Sequence, residues 1–207
     1  IVRSMDRESL SQALQSLADQ QHPNLEIVVV NAKGPGHREL PPQIGTRALR
    51  LVGTGAPLDR TRAANVGLDA AQGDLVFFLD DDDIVYPEHV DTLVQALAAN
   101  PTVRCAYAGV RVEFYRGGSL VGVFDQNQPF DRHRLWGRNF LPIHLCLHAM
   151  PGRSGKALRI GEYQFAVSGF RHHRFTQRML GALLNRSGQS EQFVCAACRV
   201  AQHHIGH

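Results

Sequence analysis

No aspartate follows Asp131 in this chain of 207 residues, and beyond residue 144 only Glu162 and Glu191 are acidic. Any carboxylate chemistry in that last stretch has two candidates. Long apolar runs are also absent. None approaches the roughly 20 residues of a membrane-spanning helix, so no transmembrane segment is expected. Cysteine is scarce: Cys105, Cys146, Cys195 and Cys198 are too few and too clustered for a disulfide scaffold. A reducing compartment is expected. Collagen-like and low-complexity tracts are missing, which excludes fibrous and disordered classes. The chain opens on Ile1, already strand-like. No signal peptide is therefore expected in it, and a native start is expected to be missing.

What is present divides unevenly. The composition, 43% hydrophobic and 20% charged, suits one globular domain or one domain with an appendage. The formal charge of +3 averages two unlike parts. Residues 1–144 hold 17 of the 19 acids and 14 of the 22 Lys and Arg, for −3. Residues 145–207 hold 2 acids and 8 bases, for +6, with three of the four Cys and more than half of the His. The shift implies a distinct module or a segment of different origin. The domain division expected is 1–144 and 145–207.

The first part alternates strand and helix patterns. Ile1–Ser4, Leu25–Val30, Arg50–Val52 and Leu75–Leu79 read as strands. Arg7–Gln20, Arg60–Gln72 and a stretch opened by Pro87 and ended by Asn100-Pro101 read as helices. Val103–Phe114 and Ser119–Phe124 flank Gly117-Gly118, a hairpin signal. This pattern predicts an α/β fold, a mainly parallel sheet flanked by helices, with the C-terminal part irregular or poorly defined. Ligands in such sheets bind beyond the carboxyl ends of the strands.

Asp80 to Asp83 occupy one such end. Four adjacent carboxylates abutting Phe77-Phe78-Leu79 repel one another, and a cation offsets that repulsion. Hard oxygen ligands suit Mg²⁺ or Mn²⁺, which typically bridge a carboxylate to substrate phosphates. A solvated acidic turn is the simpler alternative.

The stretch Phe78-Leu-Asp-Asp-Asp-Asp-Ile-Val-Tyr-Pro87 resembles the Asp-x-Asp region of family 2 glycosyltransferases. Those enzymes have a Rossmann-like nucleotide-diphospho-sugar fold, type A. Ile1-Val-Arg-Ser-Met-Asp-Arg7 resembles the family's first strand and loop. Leu25-Glu-Ile-Val-Val-Val30 resembles its second strand. Arg62-Ala-Ala-Asn65-Val-Gly67-Leu68 with Gly73-Asp74 resembles the helix leading to the metal strand. The resemblance spans about residues 1–144.

It implies transfer of a sugar from a nucleotide-diphosphate donor to an acceptor hydroxyl, metal-assisted and inverting. Asp80, Asp82 and Asp83 are the implied metal ligands, for Mn²⁺ or Mg²⁺. Ser4, Asp6, Arg7, Asn31, Arg62, Asn65, Asp80 and Asp81 are the implied donor-binding residues. The implied acceptor is a glycan or lipid-linked precursor of a bacterial surface polysaccharide. The implied location is the cytoplasm, with peripheral association at the inner face of the membrane. No nucleic acid partner is expected. Two positions depart from the family. Asn31-Ala32-Lys33-Gly34 stands where it has paired acids, and Ala64 where it has Arg before the helix Asn.

The family's general base is a carboxylate of the later half, and Glu162 is the candidate here. Residues 145–207 are open to three readings: a divergent acceptor domain, a small basic metal module, or non-family sequence joined by a change of reading frame. Cys195, Cys198, His203, His204 and His207 have ligand types for Zn²⁺. A chain without the base would be an inactive remnant that binds metal and nucleotide. Gly152-Arg-Ser-Gly155-Lys156 is too short for a phosphate loop.

Overall fold

In the computed structural model, residues 1–101, 103 and 105–131 are described, together with the backbone of two later strands. The elements in chain order are β1 (Val2–Ser4), α1 (Leu10–Ala18), β2 (Ile27–Asn31), β3 (Gln43–Ile44), β4 (Arg47–Val52), α2 (Arg60–Ala70), β5 (Leu75–Val76), β6 (Leu79–Asp80), β7 (Asp83–Val85), α3 (His89–Ala99), β8 (Cys105–Arg116), β9 (Ser119–Gln126), β10 (Cys146–Ala149) and β11 (Phe193–Ile205).

Alternation along the first strands sets two faces. The first sheet has the order β3-β4-β2-β1-β6. Its β4, β2, β1 and β6 are parallel, and β3 adds an antiparallel edge. Val2, Val29 and Leu79 point to one side. There they bury Leu10, Leu14 and Leu17 of α1 and meet Val90 and Leu93 of α3. Val28 and Val30 point to the other side, against Ala63 of α2, while Phe78 packs on Ala64 and Leu68. β2 is therefore apolar from Ile27 to Val30 because helices cover both of its faces.

The helices are shorter than their sequence patterns. α1 starts at Leu10 rather than Arg7, because Arg7 belongs to a loop held by the aspartates. α2 ends at Ala70, and α3 begins two residues after Pro87. The expected Leu75–Leu79 strand divides. β5 joins the second sheet and β6 the first, with Phe77 and Phe78 between them. Phe77 is buried against the α1 and α3 side and meets His89 edge-on at 5.9 Å between centroids. Phe78 is buried on the α2 side. Burying two adjacent aromatics on opposite sides directs the chain from one sheet to the next.

The second sheet has the order β5-β10-β8-β11-β7, with β9 paired to β8. Gly117 and Gly118, at φ 56° and 78°, make the hairpin turn that their sequence signals. β10 and β11 come from the stretch expected to be irregular. Their backbones pair with β8, antiparallel and parallel respectively. Among the described residues no helix is long and apolar enough to cross a membrane.

Gly67 of α2 packs against Ile1, just before β1, and against Val30 of β2. A Cβ there would collide with Ile1 Cγ2 and lie 3.2 Å from Val30 Cγ2. Gly67→Val is expected to lower stability by about 1–3 kcal/mol through overpacking, read as a reduced chemical-denaturation midpoint. An unchanged midpoint would show that the two elements separate without cost.

Candidate functional site

β1 and β6 run side by side, with Val2 opposite Leu79 and Arg3 opposite Asp80. Partners on adjacent strands share a face, so Arg3 and Asp80 both turn toward α2. Arg3 Nε donates to Asp80 Oδ1 at 2.9 Å, and Arg60 Nη2 lies 3.2 Å from Asp80 Oδ2. Ser4 and Asp81 turn the other way. Asp81 is fully buried. Its Oδ2 accepts the N–H of Met5 at 2.7 Å, the N–H of Arg7 at 3.3 Å and the Ser4 hydroxyl at 3.4 Å. Its Oδ1 takes the Arg7 guanidinium. Asp81 thus shapes the loop between β1 and α1 from beneath rather than facing outward.

Asp82 is at the turn between β6 and β7. Its side chain is 47% exposed and lies 3.3 Å from Arg7 Nη1. Asp83 is buried at the start of β7. One oxygen from each of Asp80, Asp82 and Asp83 lies within 4.8 Å of the others. Three hard carboxylate donors, one of them well exposed, fit Mg²⁺ or Mn²⁺. The Arg7 guanidinium titrates higher than usual. Burial alone would lower it, but Asp82, Asp81 and Asp80 outweigh that.

A second loop covers this one. Asp6 sits at φ 62° and accepts from Lys33 Nζ at 2.8 Å and from the Arg38 N–H and guanidinium. Arg38 Nη2 also donates to the carbonyls of Asp6 and Arg7, at 3.2 and 2.9 Å. His37 Nδ1 donates to the Arg38 carbonyl at 2.7 Å, and its Nε2 lies 2.8 Å from Ser4 Oγ. Asn31 is opposite Ser4 in register. Its amide is paired at both ends with the Gly34 backbone, at 2.9 and 2.8 Å. Asn31 therefore folds the loop on which Lys33, His37 and Arg38 ride.

The structure brings Ser4, Asp6, Arg7, Asn31 and the four aspartates together. Arg62 is not among them: its side chain is 76% exposed and its Nε lies 3.7 Å from Asp59, the N-cap of α2. Asn65 is half-buried one turn further along α2. Glu162 and His207 lie outside the described residues, and so do the side chains of Cys195, Cys198, His203 and His204. Sequence reasoning missed Arg3, Arg60, His37 and Arg38. Arg3 shows as the one charge in Ile1–Ser4, and Arg60 as the residue after a capping Asp59. His37 and Arg38 carry no local signal.

Two depressed carboxylates give a pH dependence. Lys33 holds the Asp6 carboxyl well below its usual range, with Arg38 adding to this against a smaller opposing effect of burial. For Glu26, burial pushes up most strongly, but the N–H groups of Gln72 and Gly73 and the Arg50 side chain together bring it down. Depressed folded-state values give stability that is complete above about pH 4–5 and is lost as pH falls further. The melting temperature is expected to drop between pH 5 and pH 3, and Asp6→Asn with Glu26→Gln to flatten that slope. An equally steep slope in the double variant would contradict the assignment.

The family described as Glycosyl transferase family 2 matches residues 4–159. An uncharacterized glycosyltransferase of Haemophilus influenzae is 28% identical over 119 residues, which is 57% of this chain and 40% of that relative. Among solved structures, S. aureus TarS 1-349 in complex with UDP-GlcNAc superposes with a TM-score of 0.60 at 13% identity, covering 100% of this chain and 58% of that one. The same protein in complex with UDP gives 0.59 at 15% identity, covering 99% and 59%. At this identity the likeness is one of fold. The chain spans less than two thirds of the length of each of these relatives.

Proposed function

As the chain belongs to glycosyl transferase family 2, we propose that it moves a sugar from a nucleotide-diphospho-sugar donor to an acceptor hydroxyl, with inversion. The observation that carries this is the set of Asp80, Asp82 and Asp83, with oxygens within 4.8 Å, where β6 ends. Bound there, Mn²⁺ or Mg²⁺ would supply Lewis-acid stabilisation to the departing diphosphate.

The chain's own residues do the rest. Asp81 fixes the Met5–Arg7 backbone, which shapes the rim of the donor site. Arg7 supplies a positive charge beside Asp82. Lys33 and Arg38 clamp Asp6 and hold the second loop over the first. Ser4, Asn31 and Asn65 border the donor site. UDP-sugars are the first donors to test, because the TarS structures were obtained with UDP-GlcNAc and UDP. The acceptor class we propose is a glycan or a lipid-linked precursor at a membrane surface, and Glu162 is the proposed base.

Release of free nucleoside diphosphate from a panel of UDP- and GDP-sugars with Mn²⁺ tests the proposal. Slow donor hydrolysis is the expected minimum. The shortage of acids after Asp131 favours one second reading, a domain that binds donor and transfers nothing. Donor binding with no turnover under any condition selects that reading. No binding of any nucleotide sugar removes both.

A further inference from the structure

A small pocket lies between α2 and the β1–β6 pair, on the face away from Asp81. Ala63, Ala64 and Phe78 line its apolar side, and Arg3, Arg60 and Asp80 its polar end. Asp80 uses one oxygen for each arginine, Oδ1 for Arg3 Nε at 2.9 Å and Oδ2 for Arg60 Nη2 at 3.2 Å. The Arg3 side chain is only 15% exposed and that of Arg60 31%. Each guanidinium carries five N–H donors. Among the described residues, the structure gives neither of these side chains an acceptor other than Asp80.

Two cations thus share one anion at the polar end of a largely apolar pocket, which leaves a local excess of positive charge there. The first turn of α2, where Arg60 sits, adds the positive end of an 11-residue helix. Planar guanidinium forks match the oxygens of a phosphate, and the small side chains of Ala63 and Ala64 leave room beside them.

We infer that Arg3 and Arg60 form a metal-independent oxyanion subsite that takes a phosphate group of the donor, with Asp80 positioning the two arginines. This rests on the donor reading above, because Asp80 borders both the pocket and the carboxylate set. It gives adjacent aspartates separate tasks. Asp80 orients cations of the protein from its place in the carboxylate set, Asp81 builds the loop, and Asp82 and Asp83 complete the set that would meet an added cation.

The test is calorimetric titration of the chain with inorganic pyrophosphate in EDTA. The wild type is expected to bind saturably. Arg60→Gln and Arg3→Gln are each expected to bind about tenfold more weakly or worse, with partial recovery in Arg60→Lys, which keeps the charge but not the fork. Arg116→Gln, which removes an exposed positive charge at the far end of β8, is expected to match the wild type in EDTA. Equal affinity in the wild type and Arg60→Gln overturns the subsite. So does binding that needs Mn²⁺ and is then the same in both, an outcome that leaves the donor reading standing. No pyrophosphate binding with or without Mn²⁺ overturns the subsite and counts against the donor reading as well.

Discussion

Asp82→Ala is expected to abolish the Mn²⁺-dependent rise in melting temperature that a UDP-sugar gives the wild-type chain, and to cut turnover about 10²–10³-fold. The expectation follows from how little else Asp82 does. It is the most exposed of the three clustered carboxylates, and the contact the structure gives it is Arg7 at 3.3 Å. A surface pair of that kind contributes about 0–1 kcal/mol. The unliganded variant should therefore melt close to the wild type. A ligand at a hundred times its Kd adds about 2.7 kcal/mol of stability, so its disappearance is easily read. Asp82→Asn keeps one acceptor oxygen and should fall between the two. An Asp82→Ala protein that keeps the full Mn²⁺-dependent shift would remove Asp82 from the metal site.

The parallel part of the fold was legible in the sequence because each strand there is apolar for a simple reason. Leu25–Val30 is covered on both faces, and a doubly covered strand needs no alternation. The strand at Leu75–Leu79 looked the same and was not, because its two phenylalanines are buried in different layers. Nothing local distinguishes that from one buried strand. At the site, the aspartate run announced itself, but its division of labour did not. Alternation across β6 sends Asp80 toward Arg3 and Asp81 toward the Met5–Arg7 backbone, and that depends on which residue begins the strand. Arg62 was expected inward and Arg60 was not. The N-cap at Asp59 fixes the helix start, and with it which arginine faces β6. His37 and Arg38 reach the site through a loop whose course is set by the Asn31–Gly34 pairing, an interaction invisible until the chain is folded.

Asp81 carries the largest expected loss of stability. All four groups around it are donors: two backbone N–H groups, a hydroxyl and a guanidinium. Asp81→Ala leaves the N–H groups of Met5 and Arg7 without their acceptor at a buried position, and it costs Arg7 its main anion. Removing one partner of a buried charged network typically costs about 3–5 kcal/mol. For a domain of this size that corresponds to a fall of roughly 6–20 °C in melting temperature. Asp81→Asn separates charge from shape. It is nearly isosteric, but its NH₂ would face donors from every side, so it is expected to be almost as damaging as alanine. The Arg7 side chain is 41% exposed and can rehydrate. In a double-mutant cycle, Arg7→Met should therefore recover only a minor part of the Asp81→Ala loss, with the backbone N–H groups accounting for the rest. If Asp81→Asn melts with the wild type, the buried carboxylate is not what holds the first loop in place. The geometry assigned to Arg7 and Asp82 above it would then need another origin.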